Sequence, residues 1–137
     1  MSPEVVGPRR EARERALGLL YEADAKTATP AEVLASLELE PDEFAADLVR
    51  GVGEHQSEVD GLITRFAKGW TIERMPVIDR TLLRMAIYEL AHRPDVPTGA
   101  IISEAVDLAK RYSTDDSGRF VNGVLAAVAH EERPPSS

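Results

Sequence analysis

Residues 113–130, STDDSGRFVNGVLAAVAH, carry the most informative pattern in the chain. Ser113 and Thr114 offer hydroxyls to the free N–H groups of a helix start, and Asp115 and Asp116 put negative charge at its positive end. The helix that follows is predicted to bury Val121, Val124, Leu125 and Val128 on one face. Arg119 and Phe120, next to a polar loop and a helix mouth, make a surface suited to a phosphate and a base. Gly123 costs about 1 kcal/mol against Ala inside a helix, so a close backbone approach is expected there. Asn122 sits among apolar neighbours and is expected to need a hydrogen-bond partner. An ordinary C-terminal core helix accounts for the same residues without any ligand.

Catalytic chemistry finds little support. His55, His92 and His130 are far apart in sequence and none lies in an HExxH pattern. Ser103 and Ser113 lack the motif of a strained nucleophile turn. GVGEHQSEVDG has glycines but neither GxGxxG nor a phosphate-loop GK[ST]. The absence of cysteine removes disulfides and thiolate metal sites. Asp115 and Asp116 read as helix-start acids before they read as a metal pair. No catalytic residue, cofactor or metal is expected, and the chain is read as a non-enzyme.

The charge pattern bears on partners. The net charge of −8 argues against a free-standing, charge-driven nucleic-acid binder. Yet nine acids against Arg50 alone between Thr27 and Asp60 account for all of that −8, leaving the rest of the chain balanced. Arg9, Arg10, Arg13 and Arg15 lean basic at the start. On one helix, Arg9 and Arg13 are i,i+4 neighbours and Arg10 and Arg13 are i,i+3 neighbours, so three guanidiniums would share a patch that matches phosphate oxygens. Glu11 and Glu14 dilute it and offer ion-pair partners instead. A second basic group comprises Arg65, Lys68, Arg74, Arg80, Arg84 and Arg93. Tyr21 and Phe120 can either stack on bases or pack in the core.

Helical periodicity dominates, with Pro and Gly as punctuation. A first helix is predicted over residues 8–25, with Ala12, Ala16, Leu19, Leu20 and Ala23 inward. Thr29-Pro30 opens a short helix to Leu37, and Pro41-Asp42 repeats the signal ahead of Phe44, Leu48, Val49 and Val52. Gly51 and Gly53 mark an expected bend before a helix with Val59, Leu62, Ile63 and Phe66. Trp70, in the junction GWTIERMP, is expected to plug the base of a core. The segment from Ile78 to Leu90 is apolar all round and reads as a buried central helix, broken at Pro94 and Pro97. Its polar breaks are Asp79, Arg80 and Arg84, and the two arginines repel at i,i+4 unless each has a partner. A helix over 98–111 precedes the last one. Residues 1–8 are expected to be flexible, 9–131 to form a single helical domain, and 132–137 to be a disordered tail. Neither a signal peptide nor a membrane-length apolar run is present, so a cytoplasmic location is expected.

DDSGRFVNGVL, with VPTGAIISEAVDLAKRYST before it and RREARERALGLLYEA near the start, resembles the NusB family of bacterial transcription antitermination factors. VIDRTLLRMAIYEL looks like the family's long middle helix. The resemblance covers roughly residues 9 to 131. It implies an all-α fold of about seven helices in two packed three-helix bundles, with the first and middle helices central. It implies binding of single-stranded boxA RNA together with NusE, a small-subunit ribosomal protein. It further implies action with the RNA polymerase elongation complex and other Nus factors on ribosomal RNA operons. Carried over by position, Arg9, Arg10, Arg13, Tyr21, Arg84, Asp116, Ser117, Arg119 and Phe120 become candidate RNA contacts. Glu73, Asp79 and Arg80 become candidate contacts with the partner protein. Two alternatives stay open: a helical protein–protein adaptor that never touches RNA, and an RNA-binding fragment of a ribosomal RNA cytosine methyltransferase, since the same helical domain is found at the front of certain such enzymes.

Overall fold

The structure, a computed structural model, describes residues 8–134. All regular structure among these residues is helical: α1 (Pro8–Lys26), α2 (Pro30–Ala35), α3 (Glu43–Glu54), α4 (Gln56–Phe66), a 3-10 turn (Ile72–Arg74), α5 (Val77–His92), α6 (Thr98–Tyr112) and α7 (Asp115–Glu132). None of these helices is long and apolar enough to cross a membrane. The chain divides after Glu54 into two compact units.

In the first unit α1, α2 and α3 pack on one another. The predicted stripe of α1 is buried, joined by Leu17 and by Arg13. Thr29 caps α2 with a complete capping box: its hydroxyl accepts from Glu32 N–H while the Glu32 carboxylate accepts from Thr29 N–H. At α3 the order of the signal is reversed from expectation. Pro41 precedes the cap, and Asp42 does the capping, its carboxylate accepting from Phe44 N–H at 2.8 Å. The expected bend at Gly51 and Gly53 does not occur: both lie inside α3, and the break comes at His55. Gly53 is needed for close approach instead, because a Cβ there would sit 3.2 Å from the Pro30 ring.

In the second unit α5 packs against α4, α6 and α7, and α6 against α7. Leu82, Leu83, Met85, Ile87 and Leu90 of α5 are buried on several sides, as an all-round apolar helix requires. Arg84 is held by Asp60 of α4 through two bonds, Nε to Oδ1 at 2.8 Å and Nη2 to Oδ2 at 3.0 Å. Arg80 turns the other way, toward the carbonyls of Ile72 and Met75 around the 3-10 turn. Separate partners therefore remove the repulsion expected between the two. Gly69 takes a φ of +86°, a left-handed conformation open to glycine, and lets the chain turn into the 3-10 segment.

Several expectations need correcting. The segment expected as a tail begins within α7, which runs to Glu132. Arg133 ends α7 and donates to the carbonyls of Leu90 at 3.0 Å and Glu89 at 3.1 Å, to those of Val96 and Arg93, and to the Thr98 hydroxyl. A fixed cation thus satisfies carbonyls left over at the end of α5. Residues 1–7 and 135–137, covering the rest of the two expected flexible ends, lie outside the described residues. Trp70 is no core plug; it is 49% exposed. Asn122 and Gly123 are both exposed, so the amide is not confined among apolar neighbours and no neighbour crowds the glycine. A Cβ at Gly123 would meet nothing within 4 Å, whereas at Gly118 it would come to 2.8 Å from the Lys110 side chain. The tight glycine of α7 lies more than one turn earlier than the sequence implied. Gly123→Ala is therefore expected to stabilise the protein by about 0.5–1 kcal/mol through helix propensity. Gly118→Ala should gain less, because Lys110 must move. Thermal denaturation followed by circular dichroism measures both.

Candidate nucleic-acid interface

The second unit holds a pocket of about 310 Å³ lined by Trp70, Met75, Pro76, Asp79, Thr114, Asp116, Ser117 and Phe120. That volume is at the small end of the roughly 300–1,000 Å³ of ligand clefts. The turn after α4 supplies Trp70, the start of α5 supplies Asp79, and the first turns of α7 supply Ser117 and Phe120. Trp70 and Phe120 stand 6.2 Å apart between ring centroids with planes inclined at 56°. Phe120 is half-buried and Trp70 is exposed. Both rings therefore keep apolar area available to a planar guest.

The hydrogen bonds at the start of α7 run in one direction. Thr114 caps α7 by accepting from Ser117 N–H at 2.9 Å. The Ser117 hydroxyl donates to Asp79 Oδ2 at 2.9 Å, so its own oxygen receives the Thr114 hydroxyl at 3.0 Å and lies 2.9 Å from that of Ser113. Protons thus run from the cap toward one buried carboxylate. Asp79 is 3% exposed, and its Oδ1 has no hydrogen-bond partner. A buried acceptor without a donor is costly.

The remaining expected residues fall as follows. Asp116 is exposed and pairs with Arg119 one turn on. Glu73 is exposed within the 3-10 turn; Asp79, expected to meet a partner protein as a surface acid, is buried because Ser117 draws it inward. Arg84 is turned to Asp60 and its side chain is only 17% exposed, which is the buried, paired state that a structural role would require. In the first unit, Arg9 is exposed with its guanidinium 4.6 Å from the centre of the Phe44 ring, and Tyr21 is 48% exposed. Arg10 is half-buried. Arg13 is not part of a surface patch: it is 5% exposed and lies 5.3 Å from the same Phe44 ring. Its i,i+4 spacing from Arg9 places both on Phe44, where the ring's negative face attracts guanidinium. Trp70, Met75, Pro76 and Thr114 are not legible in the sequence as pocket residues. Only the GWTIERMP junction signals the first three, and its Trp alone does not tell a core ring from a rim ring.

Removing the Ser117 hydroxyl strands the Asp79 carboxylate. Ser117→Ala is expected to destabilise the fold by about 1–3 kcal/mol. A double-mutant cycle with Asp79→Ala, read by urea denaturation, should show coupling between the two positions.

The sequence profile of the NusB family matches residues 10–130. The transcription antitermination protein NusB of Acidothermus cellulolyticus is 50% identical over 124 residues, covering 88% of this chain and 86% of that protein. The crystallised NusB of T. maritima superposes with a TM-score of 0.83 at 35% identity, covering 93% of this chain and 94% of that one. A chain in the crystal structure of antitermination factors NusB and NusE in complex with double-stranded RNA superposes with a TM-score of 0.76 at 29% identity, covering 90% of this chain and 96% of that one.

Proposed function

This chain belongs to the NusB family, and from that premise we propose that it is a transcription antitermination factor that binds boxA RNA together with NusE. It acts in the cytoplasm with the RNA polymerase elongation complex and other Nus factors on ribosomal RNA operons. Its mechanism is binding, with no bond made or broken. The observation that carries the RNA side is the largely apolar pocket rimmed by Trp70 and Phe120 at the start of α7. A nucleobase offers flat apolar faces that match the two rings. Asp116, Ser117 and Arg119 frame that slot at the start of α7.

The basic segment of α1 supplies phosphate contacts through Arg9 and Arg10. Arg13, held on Phe44, sets the position of that segment, and Arg84, held by Asp60, serves to hold α4 and α5 together. Tyr21 adds an exposed ring on α1. Glu73 and Arg80, at and just after the 3-10 turn, are proposed to face NusE. The division of labour follows from charge. A protein of net −8 that commits several arginines to its own fold binds RNA weakly alone, and a basic ribosomal partner adds area, counterion release and effective concentration. The similar NusB–NusE crystal structure contains double-stranded RNA, so single-stranded boxA RNA and a duplex of the same sequence belong in one comparison.

Fluorescence anisotropy of labelled boxA RNA, with and without NusE and across a salt series, tests this reading. Phe120→Leu should weaken binding by about 1–3 kcal/mol with the salt slope unchanged, since stacking releases no counterions. Arg9→Gln with Arg10→Gln should flatten the slope by about 0.7 for each single-strand phosphate that is no longer neutralised. Affinity for boxA RNA equal to that for an unrelated strand, with NusE present, would sink the proposal.

A further inference from the structure

His55, Glu58 and His92 come together in the second unit, although 34 residues separate Glu58 from His92. His55 stands at the start of α4, where its side chain makes no cap hydrogen bond to the helix. It turns instead to Glu58 one turn on, with Nδ1 3.3 Å from Oε1. His92, the last residue of α5, brings Nε2 to 3.1 Å from the same oxygen. The imidazoles are stacked at 4.0 Å, and the buried Tyr88 ring backs them at 5.4 Å from His92 and 5.8 Å from His55. Two ring nitrogens and one carboxylate oxygen thus converge from two helices, all within 4.8 Å of one another.

We propose that His55, Glu58 and His92 form a binding site for a divalent transition metal of the zinc type. The distances fit. In a tetrahedral zinc site with bonds of about 2.0–2.1 Å, neighbouring ligand atoms lie about 3.4 Å apart. The two nitrogen–oxygen separations of 3.3 and 3.1 Å already approach that value. Aiming both ring nitrogens at one ion requires the imidazoles to turn out of their stack, and both histidine side chains, about one-third exposed, have room at the surface to do so. The donor set decides the metal class. Imidazole with one carboxylate suits zinc and its borderline neighbours, whereas magnesium and calcium demand oxygen shells of about six or more ligands. Three protein ligands leave a fourth position for water. The site lies between the C-terminal end of α5, which favours a cation, and the N-terminal end of α4, which opposes one, so the ligand atoms themselves must hold the ion. Bound metal would fasten the start of α4 to the end of α5.

The test is calorimetric titration of the tag-free full chain with zinc chloride, paired with thermal denaturation in the presence and absence of zinc. One saturable equivalent and a raised Tm are expected, with magnesium chloride producing neither. His55→Ala and His92→Ala should each weaken zinc binding by about tenfold or more, the scale of effect seen even for groups that only support metal ligands. Circular dichroism establishes that each variant is folded, and Glu58→Gln, a conservative change at an exposed position, decides the matter if a histidine variant does not fold. Cobalt substituted for zinc should show visible absorption that the Glu58→Gln variant loses. Absence of a saturable equivalent in the wild-type chain overturns the proposal, as does unchanged affinity in the folded variants, which would place the metal elsewhere.

Discussion

The hydrogen bond from Ser117 to Asp79 joins α7 to α5 at the point where the candidate interface is built. One oxygen of the carboxylate is stabilised by a hydroxyl whose own position is set by the cap of α7. The other is buried without a hydrogen-bond partner. The cap, the helix start and the buried carboxylate therefore form one unit: move Thr114 and Ser117 moves, move Ser117 and the carboxylate loses its partner.

Arginine serves structure in this chain more often than its position in the sequence implies. Arg133 gathers the leftover carbonyls at the end of α5, Arg84 grips Asp60 with both arms of its fork, and Arg13 lies buried on Phe44. In each case a planar, permanently charged group with several donors is committed to acceptors or a ring of the fold itself. The consequence for recognition is that the basic count overstates the charge offered to a nucleic acid. This is consistent with an acidic protein that gains RNA affinity by acting in a complex.

The helices and most of their buried faces were legible in the chain alone. Periodicity placed Leu82, Leu83, Val121 and Leu125 inside, and Thr29, Asp42 and Thr114 announced helix starts, because caps and stripes are local properties of a few neighbouring residues. Three motif stretches together carried the family. What remained illegible was anything that depends on residues far apart in the chain meeting in space. Whether Gly118 or Gly123 is crowded depends on Lys110 of the preceding helix, and whether Trp70 fills a core or rims a pocket depends on where Phe120 arrives. Asp79 is a surface acid or a buried acceptor according to Ser117, 38 residues away. His55, Glu58 and His92 form no pattern in the sequence, and only the packing of α4 on α5 makes them neighbours. Burial and partnership are pairwise facts of the folded chain, and a local pattern specifies only one member of each pair.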